Sequence, residues 1–350
     1  MLVMTVRRQQ PGGHTVRRFA AVSLVATLLV SGCAPDGKPT DDLQIVANPV
    51  AATAPHSPAP SAPPAGKVVS MSPASPVTAL AADPTTRTLA VAVAEPPSVL
   101  LYNLDALDAA PRTVPLPGDA EQLSTSPGQL LASVPGKAQV AKISLPGGDV
   151  TTLAVDGQPA SARTFGGQTL VAVRDRRAIE VFDGDKLTKT ITGQLYSADD
   201  VLTSGNGTVV LDKLRTALFK VDVNGSTVAE GLRAGDGATN AVADSYGRVL
   251  VTDTRESALL AFSTDPLVMR QRYPVPGGAY GIAYDATRSL AWVTLTERNE
   301  VVGFDVRGGE PTEKYRFATV RQPNSVTVDE QTGRVVVGSA AGEGTQVISP

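Results

Sequence analysis

One unit recurs along this chain. Residues 240–262 alternate small and large apolar side chains, turn at Asp244 to Arg248, run apolar to Asp253, cross a charged turn and end a second apolar run on Phe262. Residues 280–305 rewrite that pattern with Asp285, Arg288 and Phe304 in the corresponding places. Residues 78–103 carry an earlier copy with Asp83, Arg87 and Tyr102. The period is about 40 residues, and a unit of that size cannot bury its apolar face alone. Its neighbours must do so, which leaves propellers and solenoids as the available folds.

Seven such units run from Lys67 to Pro350: residues 76–118, 119–158, 159–194, 195–237, 238–278, 279–321 and 322–350. The seventh is short. It holds strand-like runs at 324–329, 334–339 and 345–349 and lacks a fourth, and residues 67–71, just upstream of the first unit, can supply it. The expected fold is therefore all-β: a seven-bladed β-propeller closed by an N-terminal strand that completes the last blade. Radial repetition of this kind leaves only short sheet edges.

The residues inside each unit have physical reasons for their order. Successive strand side chains point to opposite faces. Near a crowded axis a large residue needs a small neighbour, and the first strands offer Ala79/Leu80, Ala241/Val242, Gly281/Ile282 and Ser325/Val326. The aspartate that follows (Asp83, Asp244, Asp285, Asp329) is read as a turn residue bonding nearby backbone N–H groups, with Arg87, Arg248, Arg288 or Arg334 close behind it. Phe182-Asp183, Phe304-Asp305 and Phe219 to Asp222 are read as third-strand packing followed by a turn. Units two and three fit least well. Thr164-Phe165-Gly166-Gly167 replaces the alternation and predicts an irregular third blade.

Ahead of the repeats, residues 1–32 read as a targeting segment. Arg7, Arg8, Arg17 and Arg18 make a positive start, and residues 19–30 form an apolar stretch too short to span a bilayer comfortably. It ends at Val30-Ser31-Gly32-Cys33, which resembles the bacterial lipobox, whose cysteine is diacylated and becomes the first residue after cleavage. Cys33 is the sole cysteine of 350 residues. The alternatives are an ordinary secretory signal with a chance cysteine, or an uncleaved anchor. Two acyl chains at Cys33 meet the two-signal requirement for stable attachment. That places the protein on the outer face of the cytoplasmic membrane, lipid-anchored and extracytoplasmic. Arg17-Arg18 hints at twin-arginine export, but Phe19-Ala20-Ala21 continues it poorly, so the route stays open between that and Sec.

Residues 33–66 are expected to be a disordered linker. Proline, alanine, serine and threonine dominate, and such a composition buries too little apolar surface to fold. In extended polyproline-like states some 30 residues reach roughly 90–100 Å at about 3.1 Å each. Leu43-Gln44-Ile45-Val46 is one apolar island within it.

The C-terminal four-fifths of the chain resembles the YncE/YVTN and NHL class of seven-bladed propellers, in repeat pattern rather than in a signature motif. The composition and the lipobox look like those of secreted lipoproteins of actinobacteria, mycobacteria among them. This resemblance implies the fold and leaves function open, because propellers host enzymes, binders and scaffolds alike.

Charge and residue type exclude more than they assign. Of 31 Lys+Arg, four precede Cys33, so 27 remain against 34 Asp+Glu, a net charge of about −7 after cleavage. An acidic surface without a basic cluster argues against nucleic acid as a partner, and scarce aromatics offer no stacking platform for bases. The two histidines are His14 and His56, both ahead of the repeats, and Cys33 precedes them too. The repeat region therefore has no Ser-His-Asp or Cys-His nucleophile, no His/Cys zinc site and no His- or Cys-ligated haem. With one cysteine no disulfide framework forms, so a packed core must supply stability. No phosphate-binding glycine loop with its lysine and hydroxyl is present.

Oxygen-ligand and acid–base chemistry survive these exclusions. In a propeller the loops between blades and the turns between second and third strands share one face. Residues entering the first strands should ring the channel there: Glu121, Gln122, Arg163, Asp199, Asp200, Asn240, Tyr280 and Asn324. Charged turns at residues 174–177, 212–215, 253–256 and 297–300 surround them and read first as solvated surface. Asp199, Asp200, Asn240 and Asn324 are the oxygen donors that could gather around calcium. Trp292, the single tryptophan, is read as packing between blades.

Two functions follow as expectations. The first is a lipid-anchored binding or scaffold module presenting its channel mouth to a protein, peptide or cell-envelope ligand. The alternative is a calcium-dependent lactonase-type hydrolase, with a metal-bound water as nucleophile and Asp199 or Asp200 as base.

Overall fold

The computed structural model describes residue 43 and residues 47–70, 74–205 and 207–350. The targeting segment and Cys33 lie outside the described residues, as do Gln44, Ile45 and Val46 of the apolar island. Among the described residues no helix is long and apolar enough to cross a membrane.

Seven four-stranded antiparallel sheets form the body, one for each sequence repeat. Blade one runs from an inner strand, Val77–Asp83, through Thr88–Ala94 and Pro97–Asn103 to an outer strand, Arg112–Pro115. The inner strands of blades two to seven are Gln122–Ser126, Pro159–Phe165, Asp200–Ser204, Ala238–Ala243, Ala279–Asp285 and Pro323–Asp329. Blade seven takes its outer strand, Lys67–Val69, from the start of the domain, paired with Thr345–Ile348 in the register Val68 to Gln346. Both ends of the ring thus share one sheet, as the short seventh repeat required. The closing strand is three residues long; Met71, Ser72 and Pro73 lie outside the described residues.

The core is divided among the gaps between blades. Ala90, Leu101, Leu130 and Ile143 pack blade one on blade two, and Ile179, Val181, Val201 and Phe219 pack blade three on blade four. Comparable clusters fill the other five gaps, the last joining Val336 of blade seven to Leu89 and Val91 of blade one. Burial of alternate faces against two neighbours explains why the second strands, such as Leu290–Leu295, are buried throughout and mostly apolar rather than alternating. Trp292 lies in that strand, fully buried and stacked on Tyr315 at 5.6 Å and on Phe317 at 6.4 Å between ring centroids. Gly303 makes room for it, since a Cβ there would stand 2.9 Å from the indole.

Blade three is a complete four-stranded sheet, and its register shifts, between Pro159 and Ser161 and between Val181 and Phe182, have counterparts in other blades. Its inner strand continues through Phe165, which pairs with Gln168, and Gly166-Gly167 is the two-residue turn between them. Both glycines have positive φ, 56° and 82°, as a tight hairpin of this hand demands. The sequence departs from alternation there because the strand has ended.

The turn aspartates act as expected. Asp244 accepts from the backbone N–H groups of Tyr246 and Arg248 and from Arg248 Nε at 2.6 Å. Asp285 does the same with Arg288. Arg87 departs from the pattern by reaching across the ring closure, from blade one to Asp329 of blade seven at 2.5 and 2.9 Å.

The linker is shorter than its composition suggests. From residue 47 onward the described chain lies along the face that carries the interblade loops. Val50 O accepts from Arg255 Nη2 at 2.6 Å, Ala52 is buried, Ser57 Oγ donates to Thr296 O at 2.6 Å, and Ala65 N donates to Ala318 O at 2.9 Å. This strap crosses blades five, six and seven before becoming the closing strand. A Pro/Ala-rich segment has no core of its own, but its unbonded carbonyls are open to donors on a folded neighbour. Leu43 packs against the core between blades three and four.

Candidate functional site

The eight residues placed at the channel mouth from sequence all line one central cavity of about 830 Å³. Glu121 immediately precedes the inner strand of blade two, and Gln122 begins it. Asp199 and Asp200 open blade four, and Asn240, Tyr280 and Asn324 stand near the starts of blades five, six and seven. Arg163 is the exception in depth, standing at the fifth position of its strand.

Two arcs of different chemistry face each other across this space. The charged arc spans blades two to four and is internally neutralised. Arg174, in the turn between the second and third strands of blade three, donates through Nε to Asp199 Oδ1 at 2.7 Å. Its terminal nitrogens hold both oxygens of Glu121, one at 3.0 Å, so one guanidinium ties three blades together. The same ion pairs raise the Arg174 pKa in spite of burial, which opposes them. Arg163 donates to Val201 O at 3.0 Å and pairs with Asp200 at 3.4 Å. Lys213 also lines the cavity, and no ion pair involves its ammonium among the described residues.

Behind that arc Ser197 stands between two buried carboxylates, 2.5 Å from Asp199 Oδ2 and 2.8 Å from Asp212 Oδ1. A hydroxyl has one proton to give, so one of these contacts needs a proton from the carboxyl side. Burial pushes the Asp212 carboxyl above its ordinary value, against the hydrogen bonds it accepts from Tyr196, Arg215 and Ser197.

The opposite arc, on blades five to seven, one and two, is neutral apart from Glu330 of blade seven. Asn240 Nδ2 donates to Tyr280 O at 3.1 Å, and Asn324 Oδ1 accepts from Gln322 Nε2 at 2.9 Å. Four buried polar atoms on cavity-lining residues, Thr78 Oγ1, Gln122 Oε1, Ser325 Oγ and the Tyr284 hydroxyl, have no hydrogen-bond partner among the described residues. Buried polar groups are ordinarily satisfied, and these four, one each on blades one, two, six and seven, are the exceptions on the cavity's lining residues.

The oxygen set offered for calcium does not assemble. Asp199 and Asp200 are each engaged by an arginine, and Asn240 and Asn324 stand on two other blades with bonds of their own. Among the described residues no three His, Cys, Asp or Glu side chains come together as a metal-holding group. Calcium needs six to eight oxygens at 2.3–2.6 Å, and guanidinium groups already occupy the two carboxylates. Sequence reasoning named the turn holding Arg174 as solvated surface and missed that it reaches Asp199. It gave no weight to Thr78, Ser197, Tyr284 or Gln322, which carry no motif.

No protein-family model matches the sequence, and no curated protein matches it. Solved structures do match. A chain of hydrazine synthase from Kuenenia stuttgartiensis is 16% identical at a TM-score of 0.69, covering 81% of this chain and 98% of its own. Virginiamycin B lyase from Staphylococcus aureus, solved with quinupristin in a catalytically inactive form that lacks one histidine, is 10% identical at 0.67, covering 80% and 97%. A chain of a mitotic checkpoint complex is 10% identical at 0.70, covering 88% and 98%. The likeness is one of fold. Enzymes and assembly components share it, so the fold does not choose between them.

Proposed function

We propose that this chain is a lipid-anchored, extracytoplasmic binding or scaffold propeller that receives a protein, peptide or cell-envelope ligand at its channel mouth. The observation that carries this reading is the cavity itself: eight polar residues from six blades converge on it, and three of its carboxylates, Glu121, Asp199 and Asp200, are already paired with Arg163 or Arg174. A base or metal ligand needs a free carboxylate, whereas a recognition surface needs positioned donors and acceptors, and the neutral arc supplies those. The lyase neighbour's inactive form lacks a histidine, and this chain has none between residues 57 and 350. The checkpoint-complex neighbour is a component of an assembly, in keeping with a partner-binding role here.

The anchor and the ligand are tested together. The full-length chain and its Cys33→Ser form are expressed with their export signal, fractionated and used to capture envelope components. The native chain should partition with membranes and Cys33→Ser should be released. Tyr280→Ala and Lys213→Ala should each reduce capture at least tenfold. Retention of Cys33→Ser in the membrane refutes the anchor, and capture unaffected by both channel substitutions refutes the channel as the binding surface.

A further inference from the structure

The strap of residues 50–58 lies in a groove built to hold an extended peptide. Three side chains on the propeller donate to its carbonyls: Arg255 to Val50 O at 2.6 Å, Gln322 Nε2 to Pro55 O at 2.9 Å and Asn299 Nδ2 to Pro58 O at 3.0 Å. Gln322 Oε1 accepts from Ser57 N at 2.9 Å, and Gln322 N donates to Ser57 Oγ at 3.0 Å. The floor is glycine. A Cβ at Gly237 would stand 3.0 Å from the Ala52 Cβ, and one at Gly278 would stand 3.1 Å from the Pro55 ring.

Gln322 supplies a second, independent sign that the groove is a site. It has φ of +53°, in the left-handed region, although it is neither glycine nor asparagine and precedes Pro323. A residue before proline is biased to extended backbone, and such strain persists where the surrounding structure holds it. Here that backbone aims a side-chain amide whose oxygen and nitrogen both engage the strap, and the nitrogen also reaches Asn324 in the channel.

We propose that this groove on the rim of blades five to seven is a recognition site for extended proline- and alanine-rich peptides, held in the isolated chain by its own residues 50–58. The contacts define the peptide: a small residue at the Ala52 position, proline at Pro55, and a residue with a backbone N–H at Ser57. Because three of the bonds go to carbonyls, which polyproline-like chains leave unbonded, and the rest to one serine, a partner's segment with that spacing and a serine at the Ser57 position fits as well as the chain's own. The tethered strap competes at the high local concentration of a short linker. The partner class is therefore a proline-rich segment able to displace it. Its test does not depend on envelope capture.

The test uses the full chain with residues 50–58 replaced by a glycine-serine segment of equal length, titrated with a synthetic peptide of residues 48–60. The replaced chain should bind it saturably, the native chain at least tenfold more weakly, and Gln322→Ala in the replaced chain should lose at least tenfold in affinity. Absence of saturable binding at millimolar peptide, with cooperative melting retained, overturns the proposal, as does binding indifferent to Gln322→Ala. Amide hydrogen exchange on the native chain gives a reading that needs no variant. The Ser57 amide should be protected, and exchange at the rate of an unstructured peptide refutes an occupied groove.

Discussion

The ring is closed by backbone pairing in blade seven and, on the neighbouring gap, by side chains that include Arg87, Arg334 on Leu104 O and Lys67 on Asp108, so replacing Arg87 with methionine tests how much the closure depends on that side chain. Arg87 spans blades one and seven: it donates to Asp329 at 2.5 and 2.9 Å and to the exposed Asp105 at 2.7 Å. The Asp329 side chain is fully buried and that of Arg87 is 17% exposed. Breaking one partner of a buried pair costs about 3–5 kcal/mol. Asp329 would keep Thr332 Oγ1 at 2.6 Å and Arg334 Nη2 at 3.0 Å, so the lower end, about 3 kcal/mol, is expected. For a domain of this length that is a fall in Tm of about 5 °C. The loss should also depend on pH. Burial raises the Asp329 carboxyl, but the hydrogen bonds from Arg87, Thr332 and Arg334 outweigh it and hold the group well below its ordinary value. A carboxyl depressed in the folded state stabilises above its unfolded pKa, and that contribution fades as pH falls toward the folded value. Denaturant melts of the native chain and Arg87→Met, taken from neutral pH to about pH 2, should therefore differ most at neutral pH and converge in acid. A difference under about 1 kcal/mol at neutral pH, or one that stays constant into acid, refutes the assignment of Arg87 as the clasp of Asp329.

Other substitutions probe separate parts of the argument. Gly344→Val puts a side chain against the Val69 carbonyl at a residue with φ of +96°, so the closing strand should detach, with a loss of about 2–3 kcal/mol and new proteolysis near Gly66. Trp292→Ala should cost about 3–5 kcal/mol by calorimetry through the cavity it leaves. Trp292→Phe should cost much less, since it also removes an indole N–H with no partner. Arg174→Met should cost about 2–3 kcal/mol in denaturant melts, because Asp199, whose side chain is 4% exposed, loses its only arginine.

The architecture was legible because each blade repeats the same compromise between small and large side chains. The turn aspartates, the seven units and the missing outer strand of the last one are all visible in residue order alone. Blade three shows the limit of that method: Gly166-Gly167 looks like a broken strand until the pairing of Phe165 with Gln168 around it is known. The channel positions were legible too, since the start of a first strand is a place defined by the repeat. What they do there was not. Asp199 and Asp200 look like free oxygen donors in sequence, and they are claimed by Arg174 and Arg163 on the neighbouring blade, 25 and 37 residues earlier. The strap was hidden for the same reason over a longer range: Ser57 meets Gln322 at a separation of 265 residues. Composition speaks to whether residues 47–66 have a core of their own and is silent on whether a surface elsewhere in the chain will hold them.

A closed ring gives every blade an equivalent seat at the channel, so the asymmetry of this cavity records divergence among repeats rather than topology. Blades two to four fill their seats with charges that satisfy one another, which fixes those three blades and leaves little for a ligand to gain. Blades six, seven, one and two instead leave Tyr284, Ser325, Thr78 and Gln122 with unpaired polar atoms. The same sector carries the strap, and Gln322 touches both, bonding Pro55 and Ser57 on one side and Asn324 on the other. An amide nitrogen with two protons that serves two acceptors cannot lose one without the other bond becoming freer to move. Occupancy of the groove and the position of Asn324 in the channel are therefore tied through a single side chain, and any ligand of the neutral arc would meet an asparagine whose orientation depends on the strap.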